Sequence, residues 1–146
     1  MPTTRIKSKS ERGQSMVEFA FGFVVLLLLL SGAVDGGRAL FTYMALRDSA
    51  QEGALYGSTN PTATSEIIQR VEQSSDILQG LAASDPTHLS VNVVLPGPAC
   101  TGNAITVEVA YDNFQITMPL LGGIIGSQTI GISTSVTDSI LSPACN

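Results

Sequence analysis

The stretch GQSMVEFAFGFVVLLLLLSGAV, Gly13 to Val34, decides how this chain is built. Its nineteen residues from Met16 to Val34 hold a single charge, Glu18. As a helix rising about 1.5 Å per residue, that run is roughly 28 Å long and crosses the hydrocarbon of a bilayer. Just before it, MPTTRIKSKSERG carries Arg5, Lys7, Lys9 and Arg12, four of the chain's seven basic residues. A basic flank ahead of an apolar run sets the N-terminus in the cytoplasm and everything after Val34 outside. A single-pass membrane protein is the expectation.

Two positions sharpen that reading. Gly13 closes the basic leader, and Glu18 lies five residues later, inside the apolar run. A carboxylate at the centre of a membrane helix costs about 2.5–3.5 kcal/mol on insertion scales, and less near an end, so it usually has a partner. The plainer alternative is a glutamate snorkelling at the membrane edge. The order of basic leader, Gly, four residues, Glu and a long apolar helix resembles the class III signal of type IV pilin-like proteins. Cleavage after Gly13 would make Gln14 the mature N-terminus and Glu18 the fifth mature residue.

The longer run RGQSMVEFAFGFVVLLLLLSGAVDGGRALFTYMALRDSAQEGALYGS resembles the signature region of the TadE-like family. Gly13, Val17-Glu18-Phe19-Ala20, the leucine run, the step from Asp35 to Arg38, Ala50, Glu52-Gly53-Ala54 and Tyr56 carry the likeness. Such proteins are minor pilins or pseudopilins of the tight-adherence (Tad/Flp) pilus. The resemblance implies a bacterial inner-membrane subunit, its C-terminal domain in the periplasm or exterior and possible passage into the pilus, serving adhesion and biofilm formation. It implies a prepilin peptidase acting at Gly13, a major pilin, companion minor pilins and an inner-membrane assembly platform as partners, besides membrane lipid. Glu18 would be the assembly contact.

At 146 residues the chain has room for a leader (1–13), a long helix (14–57, transmembrane about 16–34) and one small outer domain (58–146). Without residues 1–13, three basic side chains remain against eleven acidic ones, a charge of −8. A nucleic-acid groove needs clustered Lys and Arg, so that class is excluded. Cys100 and Cys145 both fall in the exported part. An oxidising compartment makes them a disulfide, the alternative being two free or metal-binding thiols.

Beyond Val34 the helical pattern continues. Asp35 and Arg38 are three apart and can pair at the membrane edge, where Gly36 and Gly37 soften the helix. Ala39, Tyr43, Leu46, Ala50, Gly53 and Gly57 then form a seam of small and apolar residues at helical spacing. Such a seam takes either the protein's own core or a partner, and its own core is the expectation. After the loop GSTNPTATSE a second helix is predicted over Ser65–Ala83, capped by Thr64 or Ser65, with Ile67, Val71, Leu78 and Leu81 on one face. Asp85-Pro86 ends it.

From His88 the period changes to alternation. Leu89, Val91, Val93 and Leu95 mark one strand, and Ile105, Val107, Val109 and Tyr111 a second. Phe114, Ile116 and Met118 extend it past a bend at Asp112-Asn113. A third strand is predicted over Thr129–Ile140, with Ile130, Ile132 and Val136 on one face. If it runs antiparallel to the second, Cys145 arrives beside Cys100, so sheet and disulfide support each other. The fold expected is α+β and pilin-like, with a three-to-four-stranded antiparallel sheet. The apolar segment Pro119–Gly126 breaks the alternation. It is read as a buried crossover, the alternative being an exposed patch for a partner or the membrane.

Enzyme chemistry finds no support. The chain has one histidine, His88, which reads as a surface or strand-start residue, and neither GxSxG nor GxxxxGK[ST] occurs. No cofactor and no metal site is expected. Two other classes stay open. In a secreted soluble protein, Phe19–Leu30 would be the h-region and Ser31-Gly32-Ala33 the cleavage site, against which Glu18 and the continuing helical pattern count. An uncleaved, singly anchored binding or sensor module is the other.

Overall fold

The computed structural model describes residues 11–119 and 121–145; Arg5, Lys7 and Lys9 of the basic leader lie outside the described residues. One helix, α1 (Glu11–Thr59), runs unbroken through the apolar stretch and on into the outer domain. Gly36 and Gly37 do not interrupt it. From Gly13 to Leu27 every residue is exposed, with no protein packed against any face. An apolar surface of that length left bare is a lipid-facing surface.

Past Gly32 the same helix becomes the spine of the domain. Leu46, Ala50, Gly53, Ala54 and Gly57 are buried, so the small-residue seam packs inside the chain, as expected, while Tyr43 remains exposed. The reason for the glycines is distance. A Cβ at Gly53 would lie 2.5 Å from Val71 Cγ2, and one at Gly57 2.6 Å from Ile105 Cδ1. Both are closer than any side chain tolerates.

The second helix is two. α2 (Thr64–Gln73) and α3 (Asp76–Ser84) are separated at Ser74-Ser75. Ser75 caps α3, its hydroxyl accepting from Leu78 N at 3.3 Å, while Ser74 Oγ bonds Ser49 Oγ of α1 at 2.5 Å. Ile67, Val71 and Leu78 are buried and Leu81 half-buried, on the apolar face the spacing predicts. The spacing does not show the break, because an apolar stripe carries across two helices that share a core. Nor does Thr64 or Ser65 cap α2: the cap position is Ala63, which makes no side-chain cap bond.

Three strands, β1 (Leu89–Val94), β2 (Ala104–Gln115) and β3 (Thr129–Ser139), form an antiparallel sheet in chain order among the described residues. Val91 pairs with Val109 and Val107 with Val136, so alternate residues share one face. That face, with Ile105, Val107, Val109, Tyr111 and Phe114, closes over α1, α2 and α3. The other face is polar, presenting Ser90, Asn92, Glu108, Ser133 and Ser135 to solvent. The register shifts between Tyr111 and Phe114, at the bend expected at Asp112-Asn113. Ile116 and Met118 lie beyond the end of β2 rather than in it.

Between β2 and β3 lies a short helix, α4 (Leu121–Ile125), none of whose residues is buried. Gly126 ends it at φ 79°, its N–H donating to Gly122 O at 2.9 Å, the left-handed cap that glycine adopts without strain. The expectation of a buried crossover is therefore corrected. Phe114 is buried in the core with Ile130 and Ile132 packed against it, and none of Leu121–Ile125 is buried with them; Leu120 lies outside the described residues.

Candidate assembly and anchoring site

β2 descends along α1, and the contacts form a ruler. Ile105 meets Gly57, Val107 meets Gly53, and Met118 meets Gly32, where a Cβ would lie 3.5 Å from the Met118 sulfur. At about 1.5 Å per residue, Gly57 and Gly32 are roughly 37 Å apart along the helix. The top of the sheet is the Cys100 end and its bottom the membrane end.

Asp35 fastens that bottom. It is only 7% exposed, and its carboxylate accepts from Thr117 N at 2.9 Å, Met118 N at 2.6 Å and Thr117 Oγ1 at 2.5 Å. Arg38 pairs with it at 3.3 Å, as sequence spacing predicted, and lies 5.2 Å from the Phe114 ring centroid. Bonds to a charged acceptor are about twice as strong as neutral ones. A carboxylate with this many donors therefore ties residues 117–118 to the helix where it leaves the lipid. The sequence showed the Arg38 partner, three residues on. It held no signal for Thr117 and Met118, more than eighty residues away.

The top is held covalently. Cys100 and Cys145 are bonded, with Cα atoms 5.0 Å apart. Around the bridge Thr101 N donates to Pro143 O at 2.8 Å, and Leu141 N to Ser58 O at 2.7 Å, so the C-terminal segment is also tied to α1.

Gly13, Gln14 and Glu18 lie on α1 with open surface around them, far from the domain. Glu18 is exposed, and among the described residues no ion pair holds it.

A third cluster closes the junction of α3, β1 and β2. Asp85 accepts from Asn113 Nδ2 at 2.8 Å and Tyr111 Oη at 3.2 Å, and pairs with His88 Nδ1 at 2.6 Å. The Asn113 and His88 bonds hold the Asp85 carboxyl below its ordinary value. The Asp85 bond raises His88, and burial raises Tyr111. This explains why the only histidine stands before β1: it fixes the strand entry. Among the described residues no group of three or more His, Cys, Asp or Glu could hold a metal.

A pH dependence follows. The raised His88 contributes stability that is full below its unfolded value of 6.5 and is lost as pH rises through the folded one. The lowered Asp85 contributes stability present above 3.8 and lost as pH falls through its folded value. In detergent-solubilised protein, the denaturant midpoint of wild type minus that of His88→Ala should be largest between these values and shrink on both sides. A difference flat from pH 4 to pH 8 would refute the pairing.

A cleft of about 600 Å³ opens beside this cluster, lined by Arg38, Phe41, Ile77, Leu81, Tyr111 and Phe114 among others. Its walls are α1, α3 and the lower end of β2. Ser84, Asp85 and Asn113 line it too, so the Asp85 cluster forms one of its edges.

No curated protein and no solved structure matches the chain. Residues 13–55, from the expected cleavage glycine through the lipid-facing helix to the middle of the buried seam, match the TadE-like protein family.

Proposed function

We propose that this chain is a minor pilin or pseudopilin of a Tad/Flp-type pilus, a building block that primes, regulates or enters the fibre. Adhesion and biofilm formation would be the processes it serves. The observation carrying this reading is the single 49-residue helix. Its first half is bare and apolar, and its second half is the core of a disulfide-bonded α+β domain. The TadE-like match across Gly13, Glu18 and the seam supports it. In this reading residues 1–13 are a cytoplasmic leader removed by a prepilin peptidase, and the domain lies in the periplasm or outside. Companion pilins pack against the lipid-facing half of α1. The role is structural, not catalytic.

The test is the mature N-terminus. In cells with the matching peptidase it should be Gln14. A chain starting at Val34 would instead be a secreted soluble protein, and one that keeps residues 1–13 a plain anchored module. Either outcome overturns the proposal.

A further inference from the structure

The β2–β3 connection has the chemistry of a membrane foot. Ile116 N donates to Gln128 O at 2.8 Å, closing its base, and Asp35 fixes Thr117 and Met118 against α1. Its height is set by α1. Met118 touches Gly32, and Leu121 shares a small apolar cavity with Gly32, Asp35 and Gly36. These positions are the last turn of the apolar run and the first turn beyond it. Beside them on the same helix Leu29, Leu30 and Val34 are exposed to what must be lipid.

From this level the connection presents Ile124, 82% exposed, and Ile125, 54% exposed. Adjacent in sequence, the two isoleucines make a small exposed apolar patch at this level. The charge pattern points the same way. From Asn113 to Thr137, twenty-five consecutive residues carry no charge, in a chain with nineteen charged side chains. A charged side chain would make entry into hydrocarbon costly, and this loop has none.

We propose that Leu121–Gly126 form a membrane-contacting foot, with Ile124 and Ile125 entering the outer leaflet beside α1. The domain is then held at the membrane at two points, the helix and the foot. This seats the sheet upright on the lipid and ties the removal of the subunit from the bilayer to withdrawal of the foot. The inference rests on residues 16–34 spanning the membrane, not on the pilus assignment.

The protein has no tryptophan, so Ile124→Trp places a single reporter on the foot. Leu55→Trp, also on an exposed surface but near the top of α1, serves as the control. The full chain is reconstituted in vesicles of phosphatidylethanolamine and phosphatidylglycerol, with or without acyl-chain-brominated lipid. The expected result is blue-shifted emission from Ile124→Trp, quenched several-fold more by brominated lipid than Leu55→Trp and protected from aqueous iodide. Ile125→Trp should behave in the same way, which guards against a local disturbance at one position. Equal bromine quenching of foot and control, with iodide access to both, overturns the proposal. Protection from iodide without bromine quenching overturns it too, by showing the foot covered by protein. If the chain fails to co-float with vesicles, the spanning helix falls and the foot with it.

Discussion

Glu18→Gln should abolish assembly while leaving processing and insertion intact. Glu18 is exposed on the bare half of α1, and no ion pair holds it among the described residues. In lipid that carboxylate is unfavourable, so its retention calls for a compensating cation. Cleavage after Gly13 would create one, the ammonium of Gln14, four residues away in sequence. On a neighbouring helix displaced along the fibre, the same ammonium could meet this Glu18, as the resemblance to type IV pilins implies. Low dielectric makes such a pair strong. Breaking it costs about 3 kcal/mol or more, roughly a hundredfold in association. Gln keeps the shape and removes the charge, so insertion should be as good or better. Leader cleavage is read by gel shift, and assembly by co-purification with pilus components or by piliation in a strain lacking the wild-type copy. Normal piliation with the variant would leave Glu18 a snorkelling residue.

The second large effect is on stability. Cys100→Ser or Cys145→Ser opens a bridge between residues 45 apart in sequence. On the chain-entropy account a loop of that length contributes about 4 kcal/mol. The measured loss should fall at or below that figure, because hydrogen bonds survive around the bridge. Gly102 N to Ile140 O at 3.0 Å, Ile140 N to Asn103 O at 2.8 Å and Leu141 N to Ser58 O at 2.7 Å still hold the two segments together. A loss of about 2–4 kcal/mol is expected, seen as a lower thermal midpoint in oxidised samples. Insertion should not change, since α1 inserts by its own apolar surface. Equal midpoints for wild type and variant under oxidising conditions would show the bridge to be inert or unformed in the exported protein.

What was legible in the sequence follows from local rules. A run of nineteen residues with one charge means a membrane helix whatever surrounds it, because lipid accepts little else. Seam, strands and bend were legible because burial on one face imposes a period, 3.6 for helices and 2 for strands. The bridge between Cys100 and Cys145 was legible from an exported domain with two cysteines, and an antiparallel third strand, which brings their ends together, agreed with it.

Three features needed the folded chain. At Ser74-Ser75 the helix breaks, Ser75 turning extended to cap α3 while Ser74 bonds Ser49 of α1, and the apolar stripe ran straight across that break. Asp35 had a visible partner in Arg38, but its stronger bonds go to backbone N–H groups of Thr117 and Met118, which no side-chain pattern encodes. The segment Pro119–Gly126 is apolar, and apolarity alone fits a core and a membrane equally well. Only the fold placed Leu121–Ile125 outside the core, with Leu121 beside Gly32 at the lower end of the sheet. Composition sets how much apolar surface must leave water, and tertiary geometry sets which apolar surroundings take it in.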